Sequence, residues 1–539
     1  MTQFIRPPTV TQNPNPRAPL AAVLTFQTDV PVSIDVAISD GTNSANARFP
    51  VLDATAAQEP VALPLAGMRA DRLHRLCIVA TDANGNKAEA DAQYQTPPLP
   101  PAPMAFPPVT LVKRDGARME GGITLLSVRR TSRGKETHLT PNQARFSRNW
   151  GMILALDCAG EVVWFYQSDR RVAGIDRLDN GNILATHVDF TVMEIDLLGN
   201  IVRQWTPAHQ PGGARPGSIG IDAHSMHHQP KVLANGNFLS FNAFGKVLDN
   251  FYSSESDPEA PRVTKGVVGD EIIEFTPEGR VVWRWNAFDH LDPLRIGYHV
   301  LQAYWHVRGF PNHADWTHGN GVVVDPRDGN IIVSFRNQDA VMKIERSSGE
   351  ILWILGNHEG WNDSLKKKLL RPIGELRWPF HGHNPRVTPQ GTIVMFDNGI
   401  FQAMPFAPML PPAKTFSRGV EFEVDEKAMT VRQLWSSSAK LDGDSVNSWA
   451  MGDAHRLPKT GNMLVFYSVC FPMLTELTYN EWDRRELHPS DLPNWARIRE
   501  YSRTTPAEVL WEVQIRDPND VVGWIVYGGF RVASLMPGN

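Results

Sequence analysis

Histidine recurs at one phase of a repeated segment, and this pattern is where chemistry can be read. Counting back eight residues from a turn glycine lands on His228 from Gly236 and on His383 from Gly391. From Gly461 the same step lands on Asp453, two residues before His455. In the unit of Gly329, whose turn is longer (DPRDGN), the place is taken by His318, followed by Asn320. The Gly181 unit carries the small pair Ala173-Gly174 there. Equivalent positions of stacked repeats converge on one axis, so three units would aim an imidazole at the same point. One histidine is more often a satisfied structural residue than a catalyst. Three at the same phase argue for a site.

Arg336 follows the apolar run IIVSF in the unit that holds His318, so a strand end facing the same axis is expected. Several histidines, an asparagine and an arginine, without a carboxylate cluster, suit a small anion with several oxygens. Arginine offers a forked pair of donors, and asparagine and histidine add directed ones. A neutral imidazole can also act as nucleophile, and a second as general acid or base. Three histidines could instead hold zinc, but a nearby guanidinium would be repelled by the cation, so no metal and no cofactor are expected. The run HSMHHQ (224–229) lacks the helical HExxH spacing and reads as a loop.

The elements that would position these groups are short strands. A strand ending in tryptophan recurs at Trp164, Trp205, Trp283, Trp353, Trp435 and Trp511, each preceded by an alternating strand such as VMEID (192–196) or VMKIE (341–345). A turn glycine entering an apolar strand recurs at Gly181, Gly236, Gly329, Gly391 and Gly461. Each unit thus holds four strands joined by hairpins. Such a sheet cannot bury both faces alone and must stack on its neighbours. The reading is all-β: a six-bladed β-propeller over 109–539 with long insertions at Asn286 to Trp316, Asn357 to Phe380 and Phe401 to Ser417, roofing the channel mouth. The last, apolar and proline-rich, fits a pocket wall or a contact between copies equally well, the latter giving a homodimer. The run Lys366-Lys367-Lys368 reads as a solvated helix face.

Residues 1–95 alternate apolar and polar positions at Val32 to Ile38 and Arg75 to Thr81, with turns at Asp40-Gly41 and Asn84-Gly85. They read as a small Ig-like β-sandwich. The proline-rich stretch 96–108 reads as a stiff linker. A net charge of −5 argues against a nucleic-acid partner. No run approaches the roughly 18 apolar residues that cross a bilayer, so a soluble chain with no membrane partner is expected. Met1 to Pro8 show no basic segment followed by an apolar one. The compartment stays open: cytoplasmic as written, periplasmic if a signal was removed. Cys77, Cys158 and Cys470 are too far apart for a CxxC pair and read as buried small hydrophobes.

At HHQPKVLANGN (227–237), DWTHGNGVVVDPRDGNIIVSFRNQDAVMKI (315–344), GEILWILG (349–356) and HGHNPRVTPQGTIVMFDNG (381–399) the chain resembles the bacterial arylsulfate sulfotransferases that need no nucleotide donor. YGGFRVASL (527–535) is similar to the family's closing strand. The resemblance implies a ping-pong reaction in which an aryl sulfate sulfurylates a histidine and a phenol then removes the group. By position His383 matches the nucleophile and His228 the acid/base, while His318 and Arg336 match residues that hold the sulfuryl oxygens. Asn320 matches a polar neighbour of the site. The doublet leaves His227 as an alternative to His228, and His381 competes with His383; phase favours His228 and His383. Two other readings stay open: a hydrolase using the same site, and a propeller that only binds.

Overall fold

The structure, a computed structural model, describes residues 2–55, 60–132, 140–438, 440, 443–472 and 494–536. Two sheets open the chain. One joins Phe4–Gln12, Ala22–Thr28 and Val61–Leu65; the other joins Ser44–Leu52, Val32–Ser39, Leu73–Thr81 and Lys87–Gln95. Their strands alternate buried and exposed residues, and Leu24, Phe26, Ile34, Val36, Leu76 and Ile78 meet between them. That alternation is what a two-sheet sandwich requires. Cys77 falls on the outer face of its strand and is exposed, so it is not the buried small hydrophobe expected; Cys470 is buried and Cys158 half-buried. The stretch 96–108 is packed rather than free: the Trp524 indole donates to Pro103 O, and Phe106 is buried.

Beyond it, the described residues form six sheets whose innermost strands are Gly523–Val532, Val172–Arg177, His227–Val232, Gly319–Val324, His383–Val387 and Asp453–Arg456. Each neighbours the next, and Asp453–Arg456 returns to Gly523–Val532, so the ring closes as a β-propeller. Closure is made by the C-terminal strand, which pairs with Ile123–Thr131 of the first sheet. At Gly321 a Cβ would lie 2.7 Å from Asn384 Cα. Only glycine lets the two innermost strands approach so closely there.

The recurring tryptophans sit on the outer strands, and all but Trp353, whose buried indole N–H has no hydrogen-bond partner among the described residues, tie their sheet to the next. The indole of Trp164 donates to Leu197 O, Trp205 to Pro277 O, Trp435 to Ser502 O and Trp511 to Cys158 O. In the third sheet Trp283 and Trp285 do so together, to Arg346 O and Gly349 O, and Trp285 is the buried one. Large apolar rings thus fill the space between sheets while their polar edges cap the neighbour's turn.

Candidate active site

His228, His318 and His383 stand at the starts of neighbouring innermost strands, His318 one residue before its strand. In all three the inner strand loses regular register at this point, between His227 and Lys231, Gly319 and Gly321, and His383 and Arg386. Left-handed backbone accompanies each irregularity, at His228 (φ 66°), His318 (φ 48°) and Asn384 (φ 49°). Such kinks turn side chains off the pleat toward the axis. The run 224–229, expected as a loop, enters its strand at His227.

The three imidazoles line a cavity of about 290 Å³ with His227, Arg336 and Tyr527. The His228 and His318 rings lie 5.0 Å apart. Of the long insertions, 286–316 reaches the cavity, through Gln302, Tyr304 and Arg308. Phe401 packs one layer behind, against His381 and His299, and 357–380 does not line the cavity. The short helix Asp363–Lys366 leaves Lys366 and Lys367 exposed.

His383 is held in one tautomer. Its Nδ1 lies 2.7 Å from Asn398 Oδ1 and 3.0 Å from His381 O, so it carries the proton. Asn398 cannot turn, because its Nδ2 donates to Ser448 O and Met451 O. The Nε2 atom therefore holds a lone pair, which accepts from the Met451 N–H at 3.2 Å. Burial, then the Arg336 guanidinium, hold His383 well below the usual imidazole range. It is neutral at neutral pH, as a nucleophile must be. His381 does not line the cavity; its Nδ1 meets Arg336 O at 3.0 Å.

The histidine doublet divides its work. His227 Nε2 lies 3.0 Å from Asp270 Oδ1, and neither atom has another hydrogen-bond partner among the described residues. His227 Nδ1 faces His228 Nδ1 at 2.6 Å. Burial pushes the Asp270 carboxyl up, but its bonds to His227, Thr317 and Gly319 outweigh this and keep it ionised. An ionised carboxylate accepts only, so His227 donates to it from Nε2 and accepts from His228 at Nδ1. His228 Nε2 is then left with the free lone pair. Burial, then His227, depress the His228 imidazole well below its usual range.

His318 Nδ1 bonds Asp315 Oδ2 at 2.5 Å, and Asp315 Oδ1 accepts from the Trp305 indole. Arg336 opens a short 3-10 turn, Arg336–Gln338, directly after its strand. Its Nη1 donates to Asn337 Oδ1, and burial brings it down to about 10, still charged at neutral pH. Asn320 is placed differently from the expected ligand role: it does not line the cavity. Its Nδ2 donates to Gly382 O at 2.8 Å and its Oδ1 accepts from Ser334, so it fixes the backbone beside His383. Where three acidic groups cluster, at Asp325, Asp328 and Glu426, the Lys343 ammonium sits between them at 2.9, 2.5 and 2.7 Å.

Sequence reading missed Asn398, Arg129, Tyr304, Met451 and Tyr527. Asn398 lay within FDNG and Tyr527 opened YGGFRVASL, both segments already singled out; the others carried no repeat signal.

The family model described as Arylsulfotransferase (ASST) matches residues 109–512, and the one described as Arylsulfotransferase Ig-like domain matches 9–97. Arylsulfate sulfotransferase AssT of Escherichia coli O6:H1 is 29% identical over 283 residues, 43% of this chain and 47% of that one. AssT of Lelliottia amnigena is 30% identical over 209 residues, 31% and 34% of the two chains. The matches thus span less than half the length of these relatives. Among solved structures, periplasmic gluconolactonase PpgL of Pseudomonas aeruginosa is 8% identical with a TM-score of 0.33, covering 92% of this chain and 99% of that one. A protein of unknown function from Bacteroides caccae is 13% identical with a TM-score of 0.37, covering 77% and 99%.

Proposed function

The chain belongs to the arylsulfotransferase family, and from that premise we propose that it moves a sulfuryl group from an aryl sulfate to a phenol through His383. The catalytic unit is residues 109–539, joined by 96–108 to the sandwich of 1–95. The observation that carries the reading is the locked tautomer of His383, with Nδ1–H held by Asn398 and His381 and the Nε2 lone pair at the cavity.

In the first half-reaction His383 Nε2 leaves the Met451 N–H and attacks sulfur, the N–S bond forms and the S–O bond to the aryl group breaks. Arg336 and His318 hold the sulfuryl oxygens, over which charge spreads as in phosphoryl transfer. The departing phenolate takes a proton from His228. In the second half, the acceptor's oxygen attacks sulfur, its proton passes to His228, and the N–S bond breaks. His228 is neutral in the empty cavity and therefore ready as the base of the second half. Burial is the chief cause of its depression, and the negative charge of a bound sulfate acts against it, so its affinity for a proton rises when it must act as an acid.

The test is nitrophenol release from 4-nitrophenyl sulfate with and without phenol. Turnover that depends on phenol supports transfer. Release that ignores phenol indicates a hydrolase, and no release indicates a propeller that only binds.

A further inference from the structure

The cavity holds more positive charge than one sulfate ester uses. An aryl sulfate carries a single negative charge, which the Arg336 guanidinium can meet. Arg129 and Arg308 also line the cavity, against Asp315 as the one carboxylate there among the described residues, and Asp315 is bound to His318. Arg129 is the most telling. Its side chain comes from the inner part of the first sheet, on the strand Ile123–Thr131, and the residue is only 9% exposed. Its Nε donates to Val172 O at 2.6 Å, and its Cζ lies 5.2 Å from the centre of the Tyr527 ring. Among the described residues no carboxylate is ion-paired with it. Nearly buried guanidinium without a counter-charge is costly unless a ligand supplies one. Arg308, with its guanidinium 4.2 Å above the Tyr304 ring, faces the same space from the insertion 286–316. Arg308 also borders an adjoining outer cleft of about 450 Å³, where Arg215 is ion-paired with Asp189 at 2.6 Å.

We propose that this cavity takes aryl substrates bearing a second anionic group, such as a ring carboxylate, seated on Arg129 and Arg308 while the sulfuryl group or phenolic oxygen faces His383. The inference rests on the sulfuryl-transfer reading of the same site. Planar guanidinium matches a carboxylate through paired hydrogen bonds, and the Tyr304 and Tyr527 rings flank the ring that carries it.

The test compares 4-hydroxybenzoate with its methyl ester as acceptors, at an ionic strength high enough to screen long-range steering. The expected result is a kcat/KM for the carboxylate about tenfold or more above that of the ester, the size of one charge-assisted contact. That ratio should fall toward one in Arg129→Gln and in Arg308→Gln. A wild-type ratio of one, or a ratio unchanged in both variants, overturns the proposal. Should Arg129→Gln fail to fold, the half-buried Arg308→Gln decides. Should the chain transfer nothing, calorimetric binding of the same two compounds separates the questions. Tighter binding of the carboxylate keeps the anion site while the transfer reading falls, and equal binding removes both.

Discussion

Asn398 Oδ1 accepts the proton-bearing Nδ1 of His383 at 2.7 Å, and this contact decides which nitrogen of the ring faces the cavity. The amide is itself fixed by two backbone carbonyls, so the imidazole cannot exchange tautomers without breaking three bonds. Asn398 is a positioning residue. Asn398→Ala should lower kcat by about 10–100-fold, as for other partners that orient a histidine. Asn398→Asp should recover much of this, since a carboxylate also accepts from Nδ1. It should also shift the acid limb of the pH profile upward, because it favours imidazolium. Recovery without a shifted pH profile would reduce Asn398 to a packing role.

The contact between His227 and Asp270 sets the direction of proton flow through the doublet. Asp270→Asn can donate to His227 Nε2 and so reverse its tautomer, leaving His228 without an acceptor at Nδ1. Loss of acid assistance, worth up to about 10²–10⁴-fold, should fall hardest on substrates with basic leaving groups. Phenyl sulfate is therefore expected to lose much more activity than 4-nitrophenyl sulfate. Equal losses on both would remove His228 from leaving-group protonation.

Four buried histidines and the half-buried His455 make the fold sensitive to mild acid. Burial first of all lowers His228, His383, His381 and His455, and brings His187 to about 4. All are neutral in the folded chain at pH 7. Below about 6.5 the unfolded chain binds protons that the fold excludes, so stability falls as pH falls. Thermal unfolding should show a flat Tm above about pH 7 and a decline that starts near 6.5 and runs on toward 4. A Tm that holds steady until carboxylates titrate would show that these rings are protonated in the fold.

The inter-sheet tryptophans predict a local cost. Trp205→Phe keeps most of the apolar contact but leaves Pro277 O without the indole N–H. A loss of about 1–2 kcal/mol is expected in chemical unfolding, the cost of one unmet hydrogen bond plus a small void. No loss would mean that the indole bonds do not join the sheets.

The repeat carried much of this into view from the chain alone. Turn glycines set the phase, phase brought His228, His318 and His383 to one axis, and the strands begin where the counting put them. Trp283 and Trp285 lie two residues apart on one face of a strand, so spacing could not say which is buried. Arg336 was legible as a charge after an apolar run, but not the turn that aims it. Asn320 looked like a ligand because it follows His318, yet its amide faces the next strand rather than the cavity. Arg129 lies in a double arginine whose inward member depends on register. Asn398 acts through a backbone bend after its strand. Tyr304 and Arg308 come from an insertion whose path no periodicity describes.

The central claim is a covalent intermediate on His383, and intact-protein mass spectrometry tests it most directly. The chain is mixed briefly with 4-nitrophenyl sulfate and no acceptor, then quenched under alkaline denaturing conditions that preserve an N–S bond. The account predicts one added sulfuryl group per chain, released by phenol and absent in His383→Ala. An adduct that persists in His383→Ala, or phenol-dependent turnover with no adduct at all, would contradict it.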